Sequence, residues 1–146
     1  MEKVEFIEFE KELLEALKTD NNVLSRHMIY HSLIDESYKL RDEDPKYLEK
    51  CIHYCKEDIE ALPEFIKEYR KEWGEATLPD ILSLERLAII YDKMGLTKEA
   101  IDVCNRGIEL GFDHRWEWYN NKYGAKKGLK VRLMKLEQKL IKHIKK

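Results

Sequence analysis

Apolar residues recur along this chain at three- and four-residue intervals, the spacing of one face of an α-helix. Phe6, Phe9, Leu13 and Leu17 predict a helix over 4–18 that closes near Thr19, although the alternation in VEFIEF also fits a short strand. Asp20-Asn21-Asn22 breaks the pattern, and a second helix follows over 23–40 with Leu24, Ile29, Leu33 and Ile34 turned inward. Arg41–Pro45 is a polar turn in which Asp44 can cap the next helix and Pro45 can take its first turn, where a missing N–H costs nothing. That third helix covers 46–61 and stops or kinks at Pro63. A fourth, 64–73, carries Phe65, Ile66, Tyr69 and Trp73 and ends at Gly74 as its C′ residue. Thr77-Leu78-Pro79-Asp80 reads as a start signal for a helix over 80–94, a Thr cap with an acid three residues on. Gly95 hinges that helix to another over 97–110. Residues 111–124, GFDHRWEWYNNKYG, are irregular and aromatic, and a last helix spans 125–145.

The pair over 84–112 carries a second regularity. Leu84, Leu87, Ala88 and Tyr91 share one face, and Ala100, Cys104, Gly107 and Ile108 share another. Small residues at Ala88, Ala100 and Gly107 allow two antiparallel helices to approach closely. The second helix of this pair has a counterpart upstream. CIHYCKEDIEALP (51–63) aligns with AIDVCNRGIELGF (100–112), matching Ile52 to Ile101, Cys55 to Cys104, Ile59 to Ile108 and Glu60 to Glu109 at an offset of 49 residues. Asp58 then stands where the later unit has Gly107.

This arrangement resembles the tetratricopeptide repeat (TPR), a helix pair with a period of ~34 residues. The resemblance covers about half the chain, as a degenerate repeat at about 27–63 and a better one at 81–114. Asp58 departs from the small residue usual there, Cys55 and Cys104 from a usual aromatic, and Phe112 stands near an expected proline. The resemblance implies an all-α, single-domain, TPR-like antiparallel helix-pair array over 1–146, a short α-solenoid with the basic amphipathic helix 125–145 as its C-terminal cap. It further implies a protein or peptide partner bound on the first helix of each pair, through Leu82, Glu85, Arg86, Ile89, Asp92 and Lys93 in one repeat and Met28, His31, Asp35 and Tyr38 in the other. Glu85 and Ile89 stand where a carboxylate-clamping TPR needs Lys and Asn, so that clamp is not expected. A partly acidic groove suits a basic or amphipathic helical partner. The competing expectation is that residues 1–20 fill this face.

Charge divides the chain. Residues 122–146 hold ten Lys or Arg against the single acid Glu137, leaving 17 basic and 28 acidic residues in the other 121. On the last helix Leu129, Leu133, Leu136, Leu140 and Ile144 form an apolar stripe opposite Lys127, Arg132, Lys135, Lys139, Lys142 and Lys146. A cap docked through the leucines is the first reading. An acidic protein partner on the lysine face is the second reading, and nucleic acid bound by the lysines together with Trp116, Trp118, Tyr119 and Tyr123 is the least favoured, because residues 126–146 carry no Phe, Tyr or Trp.

Candidate chemistry adds little. His27, His31 and Asp35 follow at four-residue intervals, but two such His without an adjacent acid or a second cluster read as a polar stripe beside a groove. Cys51-Ile52-His53-Tyr54-Cys55 looks like a metal knuckle, yet on a helix His53 points about 160° away from Cys51, so the cysteines read as core packing. There is no Gly-rich phosphate loop, no G-x-S-x-G and no C-x-x-C. No catalytic residue, metal or cofactor is expected, and the chain reads as a non-enzyme. With no signal-peptide pattern at the start, no membrane-length apolar run and an odd number of cysteines, a cytoplasmic protein with reduced thiols is expected. The Lys-over-Arg bias fits an AT-rich bacterial or phage genome. A protein-binding adaptor or regulator, a nucleic-acid-associated protein, and a small inhibitor that occludes a host protein are the functional classes carried forward, and a homodimer fits any of them.

Overall fold

The computed structural model describes residues 1–75, 78–112 and 128–145. Every regular element among them is an α-helix, and the protein is all-α. The chain divides into two compact units, Met1–Gly74 and Glu75–Lys146. The sequence reading treats 1–146 as one array; each unit is described here by itself.

The first unit contains α1 (Lys3–Thr19), α2 (Val23–Lys39), α3 (Pro45–Glu60) and α4 (Leu62–Trp73). The stretch VEFIEF lies wholly inside α1 and forms no strand. The break at Asp20–Asn22 is a cap: Asn22 accepts from the Ser25 amide at 2.9 Å, and Asp20 accepts from the Asn22 amide at 2.8 Å. Asp44 accepts from the Lys46 amide at 3.0 Å and Pro45 begins α3, as its sequence predicts. Contacts between α2 and α3 run in opposite order along the two helices, so the pair is antiparallel. Leu40 clusters with Tyr47, Cys51 donates to the Ile34 carbonyl at 3.6 Å, and Tyr30 reaches Glu57.

Only Ala61 separates α3 from α4. The sequence reading starts the fourth helix at 64, after a stop at Pro63. In fact Pro63 sits in the first turn of α4, where its missing N–H is tolerated, and Leu62 before it is fully buried. α2 is the central helix and meets α1, α3 and α4. α1 packs through Phe6, whose ring stands edge-on to Tyr47 at 5.3 Å, and through Glu10, which pairs with Lys50 at 2.6 Å and accepts from Tyr54.

The second unit contains α5 (Leu82–Lys93), α6 (Thr97–Glu109) and α7 (Leu129–Lys145). α5 starts two residues later than expected, with Ile81 at the N-cap and no side-chain cap; Thr77 lies outside the described residues. Gly95 turns the chain at φ 78°, a backbone region L side chains rarely adopt. Ala88, Ala100 and Cys104 are fully buried between the helices. The strongest sign of close approach is at Gly107, where a Cβ would lie 2.3 Å from Leu129 Cδ1 and 3.0 Å from Leu84 Cδ1. α7 therefore packs on α6 through Leu129 and Leu136, both buried, with Leu133 and Leu140 half-buried. The predicted stripe fails at its end, because Ile144 is 75 % exposed. Residues 125–127 of the expected last helix lie outside the described residues.

Candidate functional site

The first unit holds a cleft of ≈ 660 Å³ at the start of α2, lined by α1, α2, α3 and α4. Its centre is a charged side chain on a face that otherwise packs. Cys51, Cys55 and Asp58 follow helical spacing along α3 and are all buried, Asp58 to 2 %. A buried carboxylate must be paired, since its desolvation is otherwise prohibitive. The partner is His27, whose Nδ1 lies 2.8 Å from Asp58 Oδ1 and whose side chain is 10 % exposed. The His27 ring packs on Phe65 of α4 with centroids 4.3 Å apart. One turn along α2, the Tyr30 hydroxyl donates to Glu57 at 2.8 Å. Burial, and then the hydrogen bond to Glu57, push the Tyr30 hydroxyl up to about 12. Tyr54 deeper in the unit is raised in the same direction, by burial first and by Glu10 second.

Two basic residues line the cleft. Arg26 Nη1 donates to the Leu17 carbonyl and, at 3.1 Å, to that of Asp20, tying off the C-terminal end of α1, where unpaired carbonyls favour a cation. Lys18 pairs with Glu15 at 3.1 Å. Glu60 and Glu64 are exposed at the rim, and their carboxylates pair with nothing among the described residues.

The residues predicted from sequence fall elsewhere in this unit. Met28 is 57 % exposed, His31 and Asp35 are half-buried, and Asp35 pairs with Lys39 at 3.2 Å. Tyr38 is buried, with the Arg41 guanidinium 3.9 Å above its ring. His27 belongs with Asp58 rather than in a stripe with His31 and Asp35. Cys51 and Cys55 are buried thiols outside any disulfide, while His53 is exposed and pairs with Glu57 at 3.0 Å.

In the second unit the two predicted surfaces meet. Asp92 on α5 pairs with Lys139 on α7 at 2.6 Å. Glu85 and Arg132 line one recess, and Asp92, Lys135 and Lys139 line another of ≈ 280 Å³. The acidic face of α5 is thus partly neutralised by the basic helix of the same unit. Leu82, Arg86 and Ile89 are half-buried and Lys93 is exposed; Lys135 and Lys142 are exposed on α7. Trp116, Trp118, Tyr119 and Tyr123 lie outside the described residues.

Sequence reasoning missed Arg26, Tyr30, Glu57, Glu60, Glu64 and Phe65 as neighbours of one opening. One signal was present: an Asp at a packing position of the repeated pattern, with a His one helix earlier to receive it.

No family model matches this chain, and no solved structure matches it. Among curated proteins it is similar to an uncharacterized protein of Aquifex aeolicus (strain VF5), 34 % identical over 89 residues. The alignment takes in 61 % of this chain and 41 % of that protein, so the chain matches less than half the relative's length. Among the described residues no group of His, Cys, Asp or Glu side chains could hold a metal ion, and no helix is long and apolar enough to cross a membrane.

Proposed function

We propose that this chain is a non-enzymatic adaptor or regulator in the cytoplasm that binds another protein through TPR-like helix pairs. The observation that carries this reading is the cleft of the first unit, an opening among α1, α2, α3 and α4 lined by charged side chains and aromatic rings. The close pairing of α5 with α6 at Ala88, Ala100 and Gly107 supports the TPR-like part of the proposal. The burial of Leu129 and Leu136, and the pairing of Lys139 with Asp92, support a packing role for the basic helix over a free arm for nucleic acid.

The test is affinity capture by the full chain from its host, followed by binding of the purified partner. A protein should be retained through nuclease treatment. It should be lost with Glu60→Lys plus Glu64→Lys or with Glu85→Lys plus Asp92→Lys, at unchanged helical circular dichroism. Capture that disappears with nuclease and falls steeply with salt would transfer the function to nucleic-acid binding.

A further inference from the structure

We infer that the cleft of the first unit recognises an arginine side chain presented by a protein partner, the guanidinium seated between His27 Nε2 and the carboxylates of Glu57, Glu60 and Glu64. This rests on the protein-binding reading above and adds what is recognised.

His27 presents an acceptor to the cleft. The Asp58 carboxylate only accepts hydrogen bonds, so in the neutral ring Nδ1 carries the proton and Nε2 is left as an acceptor. The side chain is nine-tenths buried, Nε2 has no hydrogen-bond partner among the described residues, and it is not sealed from the surface. His27 lines the cleft, so that nitrogen opens into it. A half-desolvated acceptor with no donor is a group a ligand can satisfy.

The surroundings set the sign of the ligand. Arg26 commits Nη1 to the Leu17 and Asp20 carbonyls and Lys18 pairs with Glu15, and against these two cations the lining sets the four carboxylates of Glu57, Asp58, Glu60 and Glu64. Glu60 and Glu64 pair with nothing among the described residues, and Glu57 remains 42 % exposed beyond its bonds to Tyr30 and His53. The lining thus carries an excess of carboxylates over cations, which favours an occupant that supplies donors and positive charge. Phe65 and Tyr30 add aromatic surface. A guanidinium suits this set better than an ammonium, because it is planar, stacks on rings, fans out five donors and is less strongly hydrated. At ≈ 660 Å³ the opening has room for one long side chain and its flanking backbone.

The test uses the full chain and an acetylated, amidated Ala-Arg-Ala peptide, followed by two-dimensional NMR. Saturable shifts are expected for the amides of 23–30 and 57–65 and for the His27 Nε2 resonance. Glu60→Gln with Glu64→Gln should weaken binding roughly tenfold, and both positions are exposed, so the fold is kept. The site is overturned if those signals stay still, if Ala-Glu-Ala binds as well, if Ala-Lys-Ala binds equally or more tightly, or if the double variant binds unchanged. A protein partner held undiminished by the double variant, with the tripeptide silent, would remove this site and leave the protein-binding reading standing. Loss of all protein capture with tripeptide binding intact would do the reverse.

Discussion

One helix of each unit, α3 in the first and α6 in the second, can be aligned at an offset of 49 residues, and the two are packed in different ways. Cys51, Cys55 and Asp58 on α3 correspond to Ala100, Cys104 and Gly107 on α6, and all six are buried. Where the second unit has Gly107, the missing side chain lets Leu129 of α7 and Leu84 of α5 reach the α6 backbone. Where the first has Asp58, a carboxylate occupies the same register, and His27 must come in to pair with it. The third helix differs accordingly. In the second unit α7 packs closely on α6; in the first, α4 follows α3 after a single residue and lays Phe65 on the His27 ring. At the aligned position a glycine admits two leucines in one unit, and an aspartate takes a histidine partner beside a cleft in the other.

The comparison breaks hardest at Gly107→Asp. The new carboxylate would stand between Leu84 and Leu129 with no histidine opposite among the described residues, and an uncompensated buried charge costs about 3–5 kcal/mol. That is a large part of the stability of a small domain. Urea unfolding should show the second unit destabilised and α7 released to protease; a midpoint equal to the parent's would mean that Gly107 does not hold the contact described. Gly107→Ala sharpens the point. Helix propensity favours it by about 1 kcal/mol, whereas overlap with the two leucine methyls opposes it by about 1–3 kcal/mol, so a small net loss is expected.

Next in size is the dyad of the first unit. Asp58→Ala should be strongly destabilising, His27→Ala less so, and the double variant less than their sum. The expected coupling is about 1–3 kcal/mol, since the two side chains are nearly buried and in direct contact. Additive losses would show that Asp58 and His27 act separately and that the cleft is not organised by their pairing.

How much of this could be read from the chain follows from the range of the interactions concerned. Helix positions were legible because they depend on local signals: apolar spacing, Asp44 before Pro45, and glycines with positive φ at 74 and 95. The packing of α5 on α6 was legible because small residues carry it. Pro63 misled because a proline that ends one helix also suits the start of the next, and sequence does not say which when a single residue intervenes. The cleft was illegible because His27 and Asp58 are 31 residues apart and joined only by the antiparallel return of α3. Asp92 was expected to face a partner, but its pairing with Lys139 spans 47 residues and a segment with no helical pattern of its own.

That ion pair gives a smaller test. Asp92 and Lys139 are 29 % and 49 % exposed, so neutralising either should cost less than about 1 kcal/mol, and salt should weaken the effect. Asp92→Asn and Lys139→Gln melts at low and high salt measure it. A loss of several kcal/mol, or one indifferent to salt, would mean that α7 is held by charge rather than by Leu129 and Leu136.

The smallest expected effect concerns pH and separates the polar unit from the apolar one. Tyr30 keeps its proton up to about 12 because burial, and then its bond to Glu57, disfavour the phenolate. In the unfolded chain the same hydroxyl ionises near its ordinary value of about 10. The folded state therefore holds a proton that the unfolded state has released, and by linkage stability falls as pH rises through this interval. The contribution is fully present below about pH 10 and is lost as pH passes the folded value. Tyr30→Phe removes the hydroxyl together with its hydrogen bond, which is worth about 1 kcal/mol at neutral pH. The gap in unfolding free energy between parent and Tyr30→Phe should accordingly be widest near neutrality and narrow as pH climbs from about 10 toward about 12. Lysine deprotonation lowers both proteins alike and cancels in the difference. Urea melts of the two chains across that range measure the gap, and one that stays constant or widens with pH would show that the Tyr30–Glu57 bond does not shape the cleft.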